Sequence, residues 1–191
     1  MLENLNKYDI VLASNSPRRR ELLADLDVRF RVETLPGIRE SYPDDLPVKQ
    51  IPEYLSRLKA NAYSLAPGEL LITADTVVIL GEEVLGKPAD EAHAHRMLRD
   101  LAGKTHSVVT GVTVSTQGRT ETFGCETLVT FAQLTDDEID WYVNRYRPMD
   151  KAGAYGIQEW IGCIGVTDIE GSFYNVMGLP VQRLYTLLKT F

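Results

Sequence analysis

Two β-rich runs, residues 108–115 and 120–131, are separated only by a short polar stretch containing Gln117-Gly118. Such a pair reads as one long hairpin. A hairpin of this length places antiparallel neighbours in the sheet, which argues against a regular parallel α/β fold. Around the hairpin, strands and helices alternate. Short strands are expected over 10–13 and 29–34, and a longer one over 70–80 with a turn at Gly81-Glu82. A helix over 17–26 carries Leu22, Leu23 and Leu26 on one side, and one over 53–65 spaces Leu55, Leu58, Ala62 and Leu65 helically. Further helices are expected over 91–101, ending at Gly103, over 136–145 behind a Thr135 cap, and over 181–189. Residues 35–52 hold four prolines and read as a loop, while 152–166 is glycine-rich with strand-like pieces. The fold class is therefore mixed α/β (α+β), in one domain over 1–191 that has room for two lobes.

Composition narrows the function. The 191 residues are 44% hydrophobic and 25% charged, with 20 Lys and Arg against 27 Asp and Glu, a formal charge of −7. That balance disfavours a general nucleic-acid binder. No apolar run is long enough to span a bilayer, and the first residues lack the pattern of a signal peptide. A cytoplasmic protein without membrane partners is the expectation. Two cysteines make no disulfide framework, and Cys125 and Cys163 read as small core residues.

The segment Leu12-Ala13-Ser14-Asn15-Ser16-Pro17-Arg18-Arg19-Arg20 ends a strand and begins a helix, with Ser16 as N-cap and Pro17 at the first helical position. A helix N-terminus favours acids, yet three arginines stand there. Each is unfavourable by roughly 0.3–1 kcal/mol before screening. Serine hydroxyls, free backbone N–H groups and guanidinium forks in one place describe an anion site. The plainer alternative is a solvated basic surface, which suits Arg20 best.

Asp75 lies inside the apolar run 70–80, on the strand face shared by Leu71, Thr73, Val77 and Ile79. A carboxylate there is costly unless a metal, a cation or water reaches it. It could hold a metal or activate water; the alternative is a strand-end Asp capping a turn. Lys87, in Gly86-Lys87-Pro88, and Lys59, near the apolar phase of its helix, are candidates to neutralise phosphate charge. Glu40 stands in the proline-rich loop. His93, His95 and His106 show no metal-ligand spacing and read as structural or exposed. In Lys151-Ala152-Gly153-Ala154-Tyr155-Gly156-Ile157-Gln158, the glycines allow close backbone approach and Gln158 offers an amide suited to a base edge.

Taken in order, LASNSPRRRELL at 12–23, ADTV at 74–77, GKP at 86–88, TGV at 110–112, KAGAYGIQ at 151–158 and NVMGLP at 175–180 resemble the Maf family of nucleotide pyrophosphatases. The resemblance implies an elongated mixed sheet with flanking helices and a central cleft, like that of the inosine-triphosphate pyrophosphatases. It implies hydrolysis of nucleoside triphosphates to monophosphate plus pyrophosphate with a divalent cation, Mg²⁺ or Mn²⁺. It assigns Asp75 as the catalytic carboxylate, a proton acceptor, and, with Glu40, as metal ligand. Ser14, Arg18, Arg19, Lys59, Thr76, Lys87 and Gln158 become substrate-binding residues. Ala74-Asp75-Thr76, Gly156-Ile157-Gln158 and Arg18 resemble the dTTP/UTP branch more than the 7-methyl-GTP branch. Arg147 departs from the Glu that many relatives carry before Pro148. A homodimer is compatible with the family. The rival from another class is a nucleotide-sensing regulator of cell division without turnover.

Overall fold

The computed structural model describes residues 2–191. Its sheet has seven strands in the order β2-β1-β3-β5-β6-β7, with β4 paired to β3. β1 (Asp9–Leu12) runs parallel to both β2 (Arg31–Val32) and β3 (Glu69–Leu80), with Ile10 opposite Leu70 and Leu12 opposite Ile72. β4 (Glu83–Leu85) is antiparallel to β3, and β7 (Val166–Glu170) is antiparallel to β6 (Thr120–Phe131). β5 (Thr105–Ser115) lies beside β6 in the expected hairpin, closed by a Thr116 N–H to Arg119 carbonyl bond of 2.8 Å. The mixed sheet of the sequence reading is thus observed.

The chain divides into two compact units, and β3, β5 and β6 each contribute to both. The first comprises Met1–Asp75, Thr110–Cys125 and Gly178–Phe191. It holds α1 (Pro17–Ala24), α2 (Ile51–Asn61) and the closing helix Val181–Leu188. Helix α2 starts two residues earlier and stops four residues earlier than the expected 53–65. Pro52 packs so tightly on β5 that a Cβ on Gly111 would lie 2.2 Å from the Pro52 carbonyl carbon. Ser56, fully buried, accepts at its carbonyl from the Thr73 hydroxyl at 2.7 Å. Both contacts hold α2 over the sheet.

The second unit comprises Thr76–Val109 and Glu126–Met177. Its core gathers Leu98 and Leu101 of α3 (Glu91–Leu101), Ile139, Tyr142 and Val143 of α4 (Asp136–Tyr146), and Val129 and Phe131 of β6. α3 occupies the expected residues, N-capped by Asp90 and followed by Gly103 at φ +68°. α4 begins with a full capping box between Thr135 and Glu138. The strand-like reading of 152–166 is corrected. That stretch forms a 3-10 turn, Ala152–Ala154, and the helix α5, Trp160–Gly165, with the strand beginning only at Val166. Gly153 and Ala154, at φ +66° and +58°, give it an irregular path that residue alternation does not reveal. A short helix, α6 (Phe173–Met177), was also not anticipated. Cys163 is exposed and Cys125 half-buried, so neither is the core residue expected of it. Among the described residues no helix is long and apolar enough to cross a membrane.

Candidate active site

α1 starts as its residues dictate. The Ser16 side chain accepts from the Arg19 N–H at 3.4 Å and Pro17 takes the first turn. Ser14 is buried in the loop just before, its hydroxyl accepting from the Ser16 N–H at 3.2 Å. Arg18 and Arg19 are half-buried and Arg20 is exposed. The three arginines therefore differ. Arg19 Nε donates to the Gly178 carbonyl at 2.8 Å, and its Nη1 donates to the Ala74 carbonyl at 2.9 Å. Burial pulls its pKa below the usual arginine value, while the Asp75 charge works in the opposite sense. Arg19 thus brings a partly desolvated positive charge to the middle of β3, where Asp75 stands.

β3 is buried along both faces through Asp75, which retains only 9% exposure. Its partner comes from α2. The Thr73–Ser56 bond places α2 on the face that Thr73 shares with Asp75, and Lys59 lies three residues beyond Ser56. Lys59 Nζ donates to Asp75 Oδ1 at 2.6 Å. The same ammonium lies 3.1 Å from Glu40 Oε2. Glu40 reaches it from loop 33–47, whose start is tied down by Tyr63: its hydroxyl donates to the Glu33 carbonyl and accepts from the Leu35 N–H, each at 3.1 Å. One cation therefore joins two carboxylates. Sequence reading assigned Lys59 to phosphate alone; its charge is also shared by Asp75 and Glu40.

The remaining expected site residues belong to the second unit. Thr76 follows Asp75 on β3 and is half-buried. Lys87 and Gln158 are exposed. Of the histidines, only His106 is deeply buried, at 2% exposure, with Nε2 2.7 Å from the Tyr155 hydroxyl. Burial lowers its pKa to about 4, so it is neutral at pH 7 and structural. Sequence reading missed the partners of the Gln158 segment. Tyr142, Lys151 and Glu159 form a hydrogen-bonded and charged cluster beneath it. Lys151 and Glu159 fall in or beside the glycine-rich motif, but nothing local marks Tyr142.

Two carboxylates converging on one positive charge are a hard-oxygen donor set suited to Mg²⁺ or Mn²⁺. Among the described residues no group of three or more His, Cys, Asp or Glu side chains is placed to hold a metal.

Comparison with known proteins places the chain in a family. The Maf-like protein family model matches residues 9–191. A dTTP/UTP pyrophosphatase from Phocaeicola vulgatus is 60% identical over 191 residues, covering 99% of each chain. One from Porphyromonas gingivalis is 58% identical over 195 residues, covering 100% of this chain and 98% of the relative. Among solved structures, a HAM1 protein from Coxiella burnetii shares the fold at a TM-score of 0.50 and 17% identity, covering 96% of this chain and 100% of its own. The sequence likeness runs through the segments carrying Ser14, Lys59 and Asp75, and on its strength the chain belongs to the Maf family.

Proposed function

We propose that this protein hydrolyses nucleoside triphosphates, dTTP and UTP above others, to the monophosphate and pyrophosphate. The observation that carries the reading is the Asp75 carboxylate, set on a buried strand and held by a single ammonium at 2.6 Å. The names of the relatives support the substrate. Hydrolysis of the α–β phosphoanhydride adds a hydroxyl from water to phosphorus and releases the water proton. Asp75 accepts that proton, and pyrophosphate leaves with the electron pair of the broken P–O bond. Lys59 orients the carboxylate and, once a triphosphate arrives, turns part of its charge toward the phosphates. Ser14, Arg18 and Arg19 receive the phosphate chain at the start of α1, and Lys87 adds a further positive charge. Glu40 and Asp75 would hold a divalent cation, which supplies electrophilic neutralisation of the phosphate oxygens.

Base choice is assigned to Gln158, with Thr76 and Arg18. An exposed amide can pair with the O4 and N3–H edge shared by thymine and uracil. Cytosine presents the reverse pattern, so CTP should be cleaved less well and 7-methyl-GTP poorly. The enzyme works in the cytoplasm on free nucleotides, and a homodimer is the assembly proposed for it. Pyrophosphate release from dTTP, UTP, CTP and 7-methyl-GTP by the purified protein with Mg²⁺ or Mn²⁺ tests the reading. Release of orthophosphate in place of pyrophosphate would sink the reaction type. A highest kcat/KM for 7-methyl-GTP would sink the base assignment alone. Tight nucleotide binding without turnover would favour a sensor.

A further inference from the structure

The segment 156–159 turns Gln158 outward while Gly156 and Ile157 are buried. Its two ends meet at one atom. The Gly156 N–H donates to the Tyr142 hydroxyl at 3.0 Å, and that hydroxyl donates to Glu159 Oε2. The Glu159 N–H closes the turn onto the Gly156 carbonyl, also at 3.0 Å. Tyr142 itself has 0% exposure, and burial together with Glu159 raises its pKa, so the phenol keeps its proton. Lys151 Nζ lies 3.1 Å from the second carboxylate oxygen of Glu159 and 2.8 Å from Asp150 Oδ1. Space is constrained as tightly as polarity. A Cβ on Gly156 would lie 2.8 Å from Glu159 Cδ and 3.1 Å from Gln158 Nε2. Glu159 stands at the N-terminus of α5 yet makes no capping bond with its side chain. That side chain is committed to Tyr142 and Lys151.

We propose that Tyr142 is a positioning residue for base recognition: its hydroxyl staples both ends of the 156–159 turn and so sets the direction in which Gln158 presents its amide. This rests on the reading of Gln158 as the residue that meets the base. A side chain on a turn with free ends samples many directions and discriminates poorly. One whose flanking residues share a buried, doubly bonded hydroxyl is preorganised. Losing the hydroxyl leaves a buried N–H and a carboxylate without their common partner, and the turn must relax to satisfy them.

The test compares kcat/KM for dTTP and CTP in the full chain and in Tyr142→Phe and Gln158→Ala, with thermal unfolding alongside. Tyr142→Phe keeps the ring and its stacking on Tyr146, 5.1 Å between centroids. It is expected to lower the dTTP-over-CTP ratio about fivefold or more. The loss should fall on KM for dTTP, with kcat nearly unchanged and unfolding still cooperative. A ratio equal to wild type in Tyr142→Phe, while Gln158→Ala abolishes the preference, overturns the proposal and leaves the base assignment standing. If Gln158→Ala keeps the preference, the base assignment fails and the proposal falls with it. Should Tyr142→Phe not fold, Glu159→Ala removes the acceptor from a less buried position and is expected to lower the ratio similarly. Glu159→Gln, which still offers an oxygen to the phenol, is expected to restore most of it. An unchanged ratio in Glu159→Ala overturns the proposal.

Discussion

Lys59 in the first unit and Lys151 in the second have matching company: each ammonium lies between two carboxylates. Lys59 is 2.6 Å from Asp75 and 3.1 Å from Glu40; Lys151 is 2.8 Å from Asp150 and 3.1 Å from Glu159. Their surroundings differ. Glu159 also accepts from the buried Tyr142 hydroxyl, which is itself bonded to a backbone N–H, so the second cluster is closed by hydrogen bonds. Around the first stand Glu40, half exposed, and Arg19, whose charge acts on Asp75. Its net charge is balanced in a way that an anionic ligand can rearrange. A satisfied buried ion cluster holds a shape, whereas one beside a helix N-terminus that carries further arginines can regroup its charges around the phosphate proposed to bind there.

The largest expected effect separates the two clusters by chemistry. Asp75→Asn preserves shape and the bond from Lys59 but removes the proposed proton acceptor, and kcat should fall by about 10²–10⁴-fold. Unfolding should stay cooperative. Turnover above a tenth of wild type would show that Asp75 is another structural carboxylate, like Glu159.

Next comes the pH response of the second unit. His106, neutral when folded, has a pKa of about 4 against about 6.5 for a free histidine. The unfolded chain therefore takes up its proton first as pH falls. Stability from this residue is complete above pH 6.5 and is lost between 6.5 and 4, about 3 kcal/mol in all. A His106→Gln variant should lose less Tm than wild type between pH 7 and pH 4.5. Parallel curves would remove His106 as the cause.

Exchanging the lysines tests the comparison itself. Lys151→Met should lower stability by about 2 kcal/mol, below the usual loss for a fully buried pair because Asp150 is half exposed. Lys59→Met should lower kcat/KM for dTTP by about tenfold to a hundredfold with a smaller change in apo Tm, since Arg19 still faces Asp75. If both variants lose stability equally and Lys59→Met keeps full activity, the distinction collapses.

The smallest effect concerns Arg19→Ala without ligand. Two buried carbonyls lose donors, a cost of about 1–3 kcal/mol, while relief of the helix dipole returns about 0.3–1 kcal/mol. A net loss near 1 kcal/mol is expected from chemical denaturation. A gain would mean that the dipole outweighs both bonds.

Much of this was legible in the residues. The bounds of α3, the Thr135 cap, the Ser16-Pro17 helix start and the hairpin turn at Gln117-Gly118 follow from local rules of capping, period and turn chemistry, and they recur in the structure. Asp75 stood out because a charge within an apolar strand needs a partner. The glycine-rich stretch 152–166 was misread because glycine relaxes the alternation on which strand reading depends, and part of it is the helix α5.

Local order therefore determined most of the strands and helices outside the glycine-rich stretch and α6, and that a carboxylate at 75 and cations at 18 and 19 needed special surroundings. Those properties depend on neighbours within a few residues. Which lysine meets Asp75, which carbonyls hold Arg19 and which hydroxyl closes the Gln158 turn were decided only by tertiary structure. Each joins residues far apart in the chain, across 16, 55 and 159, and 14 positions respectively. Such partnerships arise when packing fixes α2 on β3 and α4 beneath the 156–159 turn, because a hydrogen bond requires atoms within about 3 Å and no periodicity or composition encodes that distance.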